Sequence, residues 1–262
     1  MRRAYRTWRR RRILDKHPLD AGLWQRLSSR LGFVSRLTDQ EQTRLRELCV
    51  LFLYEKQINP AGDFILDEEM KLGIAIQACI LILNLGLDSY DDWVEVIVYR
   101  DEFMPREEYI NEHGLMQTDH HAYAGQAWLR GPVILSWSNV ETAWRHDGAN
   151  VVIHEFAHKL DMRNGGADGY PSLHAGMNRT QWTLTFTRAY EDLRWRVRRG
   201  EPMELDDYAC ESPAEFFAVV SEVFFECPEV LLEHYPEVYR QLAMFYRQDP
   251  VGREAAGQWK PA

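Results

Sequence analysis

Cysteine is scarce in this chain of 262 residues, and no two of its four cysteines lie close together: Cys49, Cys79, Cys210 and Cys227. Their spacing excludes a small disulfide scaffold and a CxxC motif, and it is typical of reduced thiols. Long apolar runs are also missing, because residues 74–83 include Gln77 and are too few to span a bilayer. No apolar stretch follows the basic N-terminus, which excludes a secretory signal. We therefore predict a cytoplasmic protein with no transmembrane segment.

Outside the first twelve residues, basic residues are fewer than acidic ones. The chain has a formal net charge of −9, yet residues 1–12 carry seven arginines and no acid, which leaves −16 for residues 13–262. An acidic body is unlike a nucleic-acid-binding surface, so no direct nucleic-acid partner is expected. We predict that residues 1–20 form a flexible basic arm and that residues 21–262 form a single domain. The nine tryptophans and 45% hydrophobic residues of the whole chain are enough for a substantial core.

Apolar periodicity predicts helices separated by a few short strands. Two strands are expected, at 94–99 and 133–137, and a hairpin is expected around 123–128. The helical segments are two within 21–58 and one each at 67–85, 151–162, 177–198, 212–226 and 229–247. The fold class is therefore α+β, mostly helical with a small mixed sheet.

The strongest chemical signal is an HExxH motif formed by His154, Glu155 and His158. A spacing of four residues puts both imidazoles on one helix face, where they can bind one zinc ion. Glu155 is rotated by about 100° from His154 and can take a proton from water instead of binding the metal. We predict one Zn²⁺ per chain, with Glu155 as the general base.

The third zinc ligand is not determined by spacing alone. The metzincin continuation is absent, since Asp161 and Asn164 stand where its glycine and third histidine would be. Glutamates of the later segment YACESPAEFFAVVSE are the candidates, namely Glu211, Glu215 and Glu222. Glu215 has an alternative role, because SPAE is also a capping box in which its side chain would satisfy backbone N–H groups. The residues leave these possibilities open.

Three segments together resemble the Mlc titration factor A family of bacterial zinc peptidases: GPVILSW, HEFAHKLDMRNG and YACESPAEFFAVVSEVFF. The resemblance covers residues 30–250 and implies a zincin-like fold similar to the catalytic core of anthrax lethal factor. It also implies that His154, His158 and Glu215 bind the metal, that Glu155 is the catalytic base, and that Tyr208 assists catalysis. Aminopeptidase-like activity on peptides is implied as well. The implied partner is a glucose-responsive transcriptional repressor that governs sugar phosphotransferase uptake.

Other patterns allow two interpretations each. Residues 133–137 are either an edge strand to which a peptide substrate adds or plain sheet core. Asp161 either hydrogen-bonds a ligand imidazole or caps the loop after the metal helix. His174 and the pair His120-His121 are expected in loops. The whole protein could instead be a non-catalytic module that titrates a repressor and contains a structural zinc, although such a module has no need for Glu155.

Overall fold

A computed structural model describes residues 2–101, 131–142 and 148–252, together with two short strands at Tyr109–Ile110 and Met116–Gln117. The helices in this part of the chain are α1 (Arg2–Lys16), α2 (Ala21–Ser28), α3 (Gly32–Ser35), α4 (Asp39–Glu55), α5 (Glu68–Leu81), α6 (Trp137–Thr142), α7 (Val151–Asp161), α8 (Arg179–Arg198), α9 (Pro213–Glu226), α10 (Pro228–His234) and α11 (Pro236–Tyr246). The predicted hairpin at 123–128 lies outside the described residues. No helix in the described ranges is both long and apolar enough to cross a bilayer.

The main sheet has three described strands, in the order β1 (Gln57–Pro60), β2 (Glu95–Tyr99) and β5 (Val133–Ser136). All three run parallel, with Ile58 opposite Val96 and Val96 opposite Val133. The short strands at Tyr109–Ile110 and Met116–Gln117, β3 and β4, pair antiparallel in a separate sheet. A small sheet among many helices confirms the predicted α+β class.

Helix α7 is the centre of the hydrophobic core. It packs against α5 on one side and α9 on the other. Phe156 is fully buried, and its ring lies 5.3 Å from that of Tyr90, 5.4 Å from that of Trp93 and 5.8 Å from that of Phe52. Close-packed aromatic rings of this kind leave a helix little freedom to shift, so the core fixes the position of the HExxH segment.

The predicted helix over 229–247 is two helices, α10 and α11, and this part of the prediction is wrong. Pro236 has no backbone N–H and restricts the residue before it, so a continuous helix cannot pass through this position. Tyr235 accordingly leaves the helical conformation, with φ −132° and ψ 60°. Both helices then begin with proline at an early position, where proline is tolerated.

The arginine-rich segment forms helix α1. Ile13 is buried against the core, and the face containing Arg6 and Arg10 turns toward the body. Arg6 lies 3.0 Å from Asp88 and 2.8 Å from Asp91, and Arg10 lies 2.7 Å from Asp88. The segment is therefore helical and in contact with the body, while the flexibility of residues 1–20 stays a prediction.

Candidate metal centre

The HExxH motif lies in α7, as the sequence predicts. The helix begins after Asn150, whose side-chain oxygen accepts a hydrogen bond from the backbone N–H of Ile153 at 3.0 Å. That cap satisfies one of the free N–H groups at the helix start. Val152, Ile153 and Phe156 point into the core, which leaves His154 and His158 together on the side that faces α9.

Three side chains converge between α7 and α9. The Nε2 atoms of His154 and His158 are 3.1 Å apart, and Glu215 Oε2 lies 2.9 Å from the first and 3.3 Å from the second. Ligand atoms of a tetrahedral zinc ion with bonds of 2.0–2.1 Å are about 3.3 Å apart. The spacing of these atoms therefore fits a zinc ion, and no other such cluster of three ligands occurs among the described residues.

Glu215 reaches the cluster because Ser212 caps α9. Ser212 Oγ accepts a hydrogen bond from the backbone N–H of Glu215 at 3.2 Å, and Pro213 occupies the first helical position. Ser212 therefore caps the helix with its own side chain, and the Glu215 carboxylate contacts the imidazoles. Glu211 is exposed at the end of the preceding 3₁₀ turn and is not in the cluster.

Glu222 contacts the same imidazole from its other side. Its Oε1 lies 2.7 Å from His154 Nδ1, and its Oε2 accepts a hydrogen bond from the backbone N–H of Asn150. A carboxylate in this place holds the proton on Nδ1 and leaves the lone pair of Nε2 for a metal. The sequence analysis includes Glu222 among the candidate ligands and does not predict this contact. Its spacing of seven residues from Glu215, two helical turns on one face, is the signal that could have revealed the contact.

A series of buried hydrogen bonds connects Glu222, the partner of His154, through Asn150 to α5. Asn150 Nδ2 donates to Gln77 Oε1 at 2.9 Å and to Glu226 Oε1 at 2.7 Å. Gln77 in turn donates to the backbone oxygen of Gly73 at 3.0 Å. With its side-chain oxygen accepting from Ile153, the Asn150 amide has all its polar atoms satisfied, which is what a buried polar group needs to remain in a core.

Asp161 holds the loop after α7. Its Oδ2 accepts a hydrogen bond from the backbone N–H of Gly169 at 2.7 Å. This contact agrees with the second of the two roles considered for Asp161, that of capping the loop after the helix. Its Oδ1 and His158 Nδ1 are both buried without a hydrogen-bond partner among the described residues. Burial raises the pKa of the Asp161 carboxyl to about 7.

The metal-free cluster attracts positive charge. Burial lowers the pKa of His154, but hydrogen bonds to Glu215 and Glu222 outweigh burial and raise this pKa to about 10. For Glu215, burial raises the pKa, while hydrogen bonds to His154 and His158 outweigh it and lower the pKa to about 2. The first shift stabilises a positive charge on the imidazole, and the second keeps the Glu215 carboxylate ionised beside it. Ionised carboxylates of this kind also suit a divalent cation.

A cavity of about 760 Å³ opens beside His154, with Glu155 and Tyr208 in its lining. Tyr208 is 45% exposed, and its ring centroid lies 5.9 Å from that of His154. The tyrosine is set in place by Asp206, whose Oδ1 accepts a hydrogen bond from its backbone N–H at 2.9 Å. Burial and the nearby carboxylate of Glu215 raise the pKa of Tyr208 to about 12. The phenol therefore stays protonated at neutral pH and can donate a hydrogen bond into the cavity.

The remaining patterns lie outside this cluster. Strand β5 is an edge of the sheet formed by the described strands, with Val133 and Leu135 buried, so peptide addition there stays a prediction. His174 lies in a loop, where its Nε2 is 2.8 Å from the backbone oxygen of Phe245. His120 and His121 lie outside the described residues.

Comparisons with known proteins show which family the chain resembles. The family model described as "Glucose-regulated metallo-peptidase M90" matches residues 5–247. Mlc titration factor A of Pectobacterium atrosepticum is 36% identical over 233 residues, which cover 88% of this chain and 87% of that protein. Mlc titration factor A of Escherichia coli O9:H4 is 35% identical over 244 residues, with the same two coverages. An uncharacterized protein of Synechocystis is 34% identical over 249 residues, covering 93% of this chain and 90% of that protein.

Proposed function

Because the chain belongs to the glucose-regulated metallo-peptidase M90 family, we propose that it hydrolyses peptide bonds with one zinc ion. The ion would be held by His154, His158 and Glu215. The observation that carries the proposal is the convergence of their three ligand atoms within 3.3 Å of one another, next to an open cavity. Three protein ligands leave one of four coordination positions for water or substrate, as in catalytic zinc sites and unlike closed structural ones.

Glu155 is the general base of this proposal. When bound, zinc would polarise the scissile carbonyl and lower the pKa of water toward about 7. The Glu155 carboxylate lines the cavity and is not one of the three clustered ligands. It can accept the proton of the attacking water and later deliver it to the leaving amine.

Tyr208 is the oxyanion donor. Its phenol lies beside His154 and keeps its proton, because its pKa is raised to about 12. A hydrogen bond from this hydroxyl would stabilise the negative charge that develops on the carbonyl oxygen, and removal of such a donor typically costs about 100-fold or more in kcat.

The proposed substrates are peptides with a free N-terminus. The resemblance to the family implies aminopeptidase-like action, and carboxylates in the cavity lining support it, since Glu155 and Asp206 would attract a protonated α-amino group. Hydrolysis of short peptides should be lost when their N-terminus is acetylated. Equal cleavage of acetylated and free peptides would indicate an endopeptidase instead.

A regulatory role accompanies the enzyme in this proposal. The relatives are named for titration of Mlc, and we propose that this chain binds a similar transcriptional repressor in the cytoplasm and thereby affects glucose phosphotransferase uptake. The name also favours a second candidate function, a binding protein that titrates the repressor and contains zinc only as a structural ion. The two functions differ in their need for Glu155.

Matched glutamine substitutions distinguish these possibilities. Glu155→Gln should abolish peptide hydrolysis while the zinc content of the protein remains one ion per chain. Glu215→Gln should lose zinc, and Glu211→Gln, which changes an exposed glutamate a few residues earlier, should alter neither quantity. Hydrolysis that persists in zinc-loaded Glu155→Gln would refute the proposed chemistry. Repressor binding by Glu155→Gln would show that titration does not require catalysis.

A further inference from the structure

Helix α1 has an inner face and an outer face of different character. The inner face contains Arg6, Arg10 and Ile13, which are spaced at one-turn intervals and contact the body. Arg10 forms ion pairs with Glu55 at 3.3 Å and with Asp88 at 2.7 Å. These contacts neutralise part of the arginine charge and attach the helix to the domain.

The outer face exposes two aromatic rings. Tyr5 and Trp8 are 65% and 53% exposed, and their ring centroids are 5.9 Å apart. The guanidinium carbon of Arg12 lies 4.9 Å from the centroid of the Trp8 ring. Residues spaced by three and four share one side of a helix, so the two rings and this cation form a continuous stripe.

Exposed cations surround the stripe. Arg9, Arg11 and Arg12 are all exposed, and Asp15 is the only acid in the helix. The guanidinium carbon of Arg9 lies 5.9 Å from the ring centroid of Tyr54 on α4, so this arginine faces the body. We define the α1 outer face as Tyr5, Trp8, Arg11 and Arg12. Since residues 13–262 carry a net charge of −16, this face is a local basic region on an acidic protein.

We propose that the α1 outer face binds the anionic headgroups of a lipid bilayer surface. Tryptophan and tyrosine favour the boundary between headgroups and acyl chains, and arginines beside them gain electrostatic energy from anionic lipids. A flat membrane can contact the exposed side of one helix while the rest of the acidic body stays in water. A long nucleic acid would instead pass along acidic surfaces, which repel its phosphates over about 8 Å at physiological salt.

A second tryptophan–arginine pair provides a matched control. Trp195 on α8 is 48% exposed, and the guanidinium carbon of Arg199 lies 4.5 Å from its ring centroid. In this pair, however, Arg199 Nε is 2.8 Å from Glu201. The same side-chain geometry is therefore partly neutralised by an acid, and it should not attract anionic lipid.

The test is co-sedimentation of the full-length chain with vesicles. We expect the protein to bind vesicles made of equal parts phosphatidylserine and phosphatidylcholine, and not vesicles of phosphatidylcholine alone. Each arginine near such a surface contributes about fivefold to partitioning, so Arg11→Gln combined with Arg12→Gln should weaken binding by roughly 25-fold. Trp8→Ser should also weaken it, because the ring that enters the interface is lost.

The control variant combines Trp195→Ser with Arg199→Gln and should bind the mixed vesicles as the unsubstituted protein does. Circular dichroism of every variant would verify that the helices remain intact. Equal binding to both kinds of vesicle, binding to neither, or an equal loss in the control variant would each overturn the proposal. Tighter binding to duplex or single-stranded DNA than to the mixed vesicles would overturn it in favour of a nucleic-acid partner.

Discussion

Glu222→Gln tests whether the orientation of one imidazole controls zinc affinity. The native carboxylate accepts two hydrogen bonds, from His154 Nδ1 at 2.7 Å and from the backbone N–H of Asn150. A glutamine has one oxygen and one NH₂ group, so it can accept only one of them. If its oxygen accepts from Asn150, its NH₂ group faces Nδ1, and the imidazole proton moves to Nε2, where a metal would bind.

The expected loss of zinc affinity is about 10- to 100-fold. That is the usual effect of removing a hydrogen-bond partner of a metal-bound histidine, and it corresponds to about 1.4–2.8 kcal/mol. An independent figure agrees, since leaving one buried donor or acceptor unsatisfied costs about 1–3 kcal/mol, and the Glu222 side chain is only 8% exposed. Competition between the protein and a chromophoric zinc chelator measures the change directly.

Glu226→Gln is the matched control. Glu226 lies one turn later on α9, is also buried, and accepts from Asn150 Nδ2 rather than from His154. Its substitution should lower thermal stability without a comparable loss of zinc affinity. Unchanged zinc affinity in a folded Glu222→Gln protein would refute the reasoning. An equal loss in both variants would assign the effect to the buried network as a whole rather than to the imidazole tautomer.

Four further outcomes are expected. Tyr208→Phe should lower kcat by about 100-fold or more with little change in zinc content, as measured by steady-state kinetics and metal analysis. Zinc binding at pH 8 should release a proton, because the pKa of His154 in the metal-free protein is about 10, and calorimetry in buffers of different ionisation enthalpy would detect it. The raised pKa also stabilises the metal-free protein fully below about pH 6.5, and this contribution should disappear as pH rises through 10, which thermal unfolding at several pH values would reveal. Phe156→Ala should destabilise the fold by about 3–5 kcal/mol in denaturant unfolding, because it empties a fully buried aromatic position.

Local patterns predicted the parts of the protein that depend on neighbouring residues. Thr38-Asp39-Gln40-Glu41 is a capping-box pattern, which predicts a helix start, and α4 begins there. The apolar periodicity of 151–162 likewise matches α7. These features were readable because a cap and a helix face involve residues only three or four positions apart. The division at Pro236 is also readable from the sequence, because a proline inside a helical pattern ends the helix, although the apolar spacing of 229–247 continues across it.

Contacts across long sequence separations were not predictable in the same way. Ser212-Pro213-Ala214-Glu215 satisfies both a capping pattern and a ligand pattern, and only the position of α9 against α7 distinguishes the two. The inner face of α1 likewise depends on Asp88 and Asp91, more than seventy residues away. The sequence contains seven arginines in residues 1–12. It does not show which of them contact acidic residues of the folded body and which face solvent.

The register of α9 against α7 determines the whole candidate centre. Glu215 and Glu222 hold the two nitrogens of one imidazole, with Nε2 of His154 2.9 Å from the first and Nδ1 2.7 Å from the second. A slip of one residue along α9 would move both carboxylates by about 1.5 Å and rotate them by about 100°, which would break both contacts at once. Packing of the buried α9 residues on α7 prevents that slip. The proposed metal ligands are thus positioned by apolar residues that carry no chemical motif, and for this reason a motif search finds the candidate ligands without finding what aligns them.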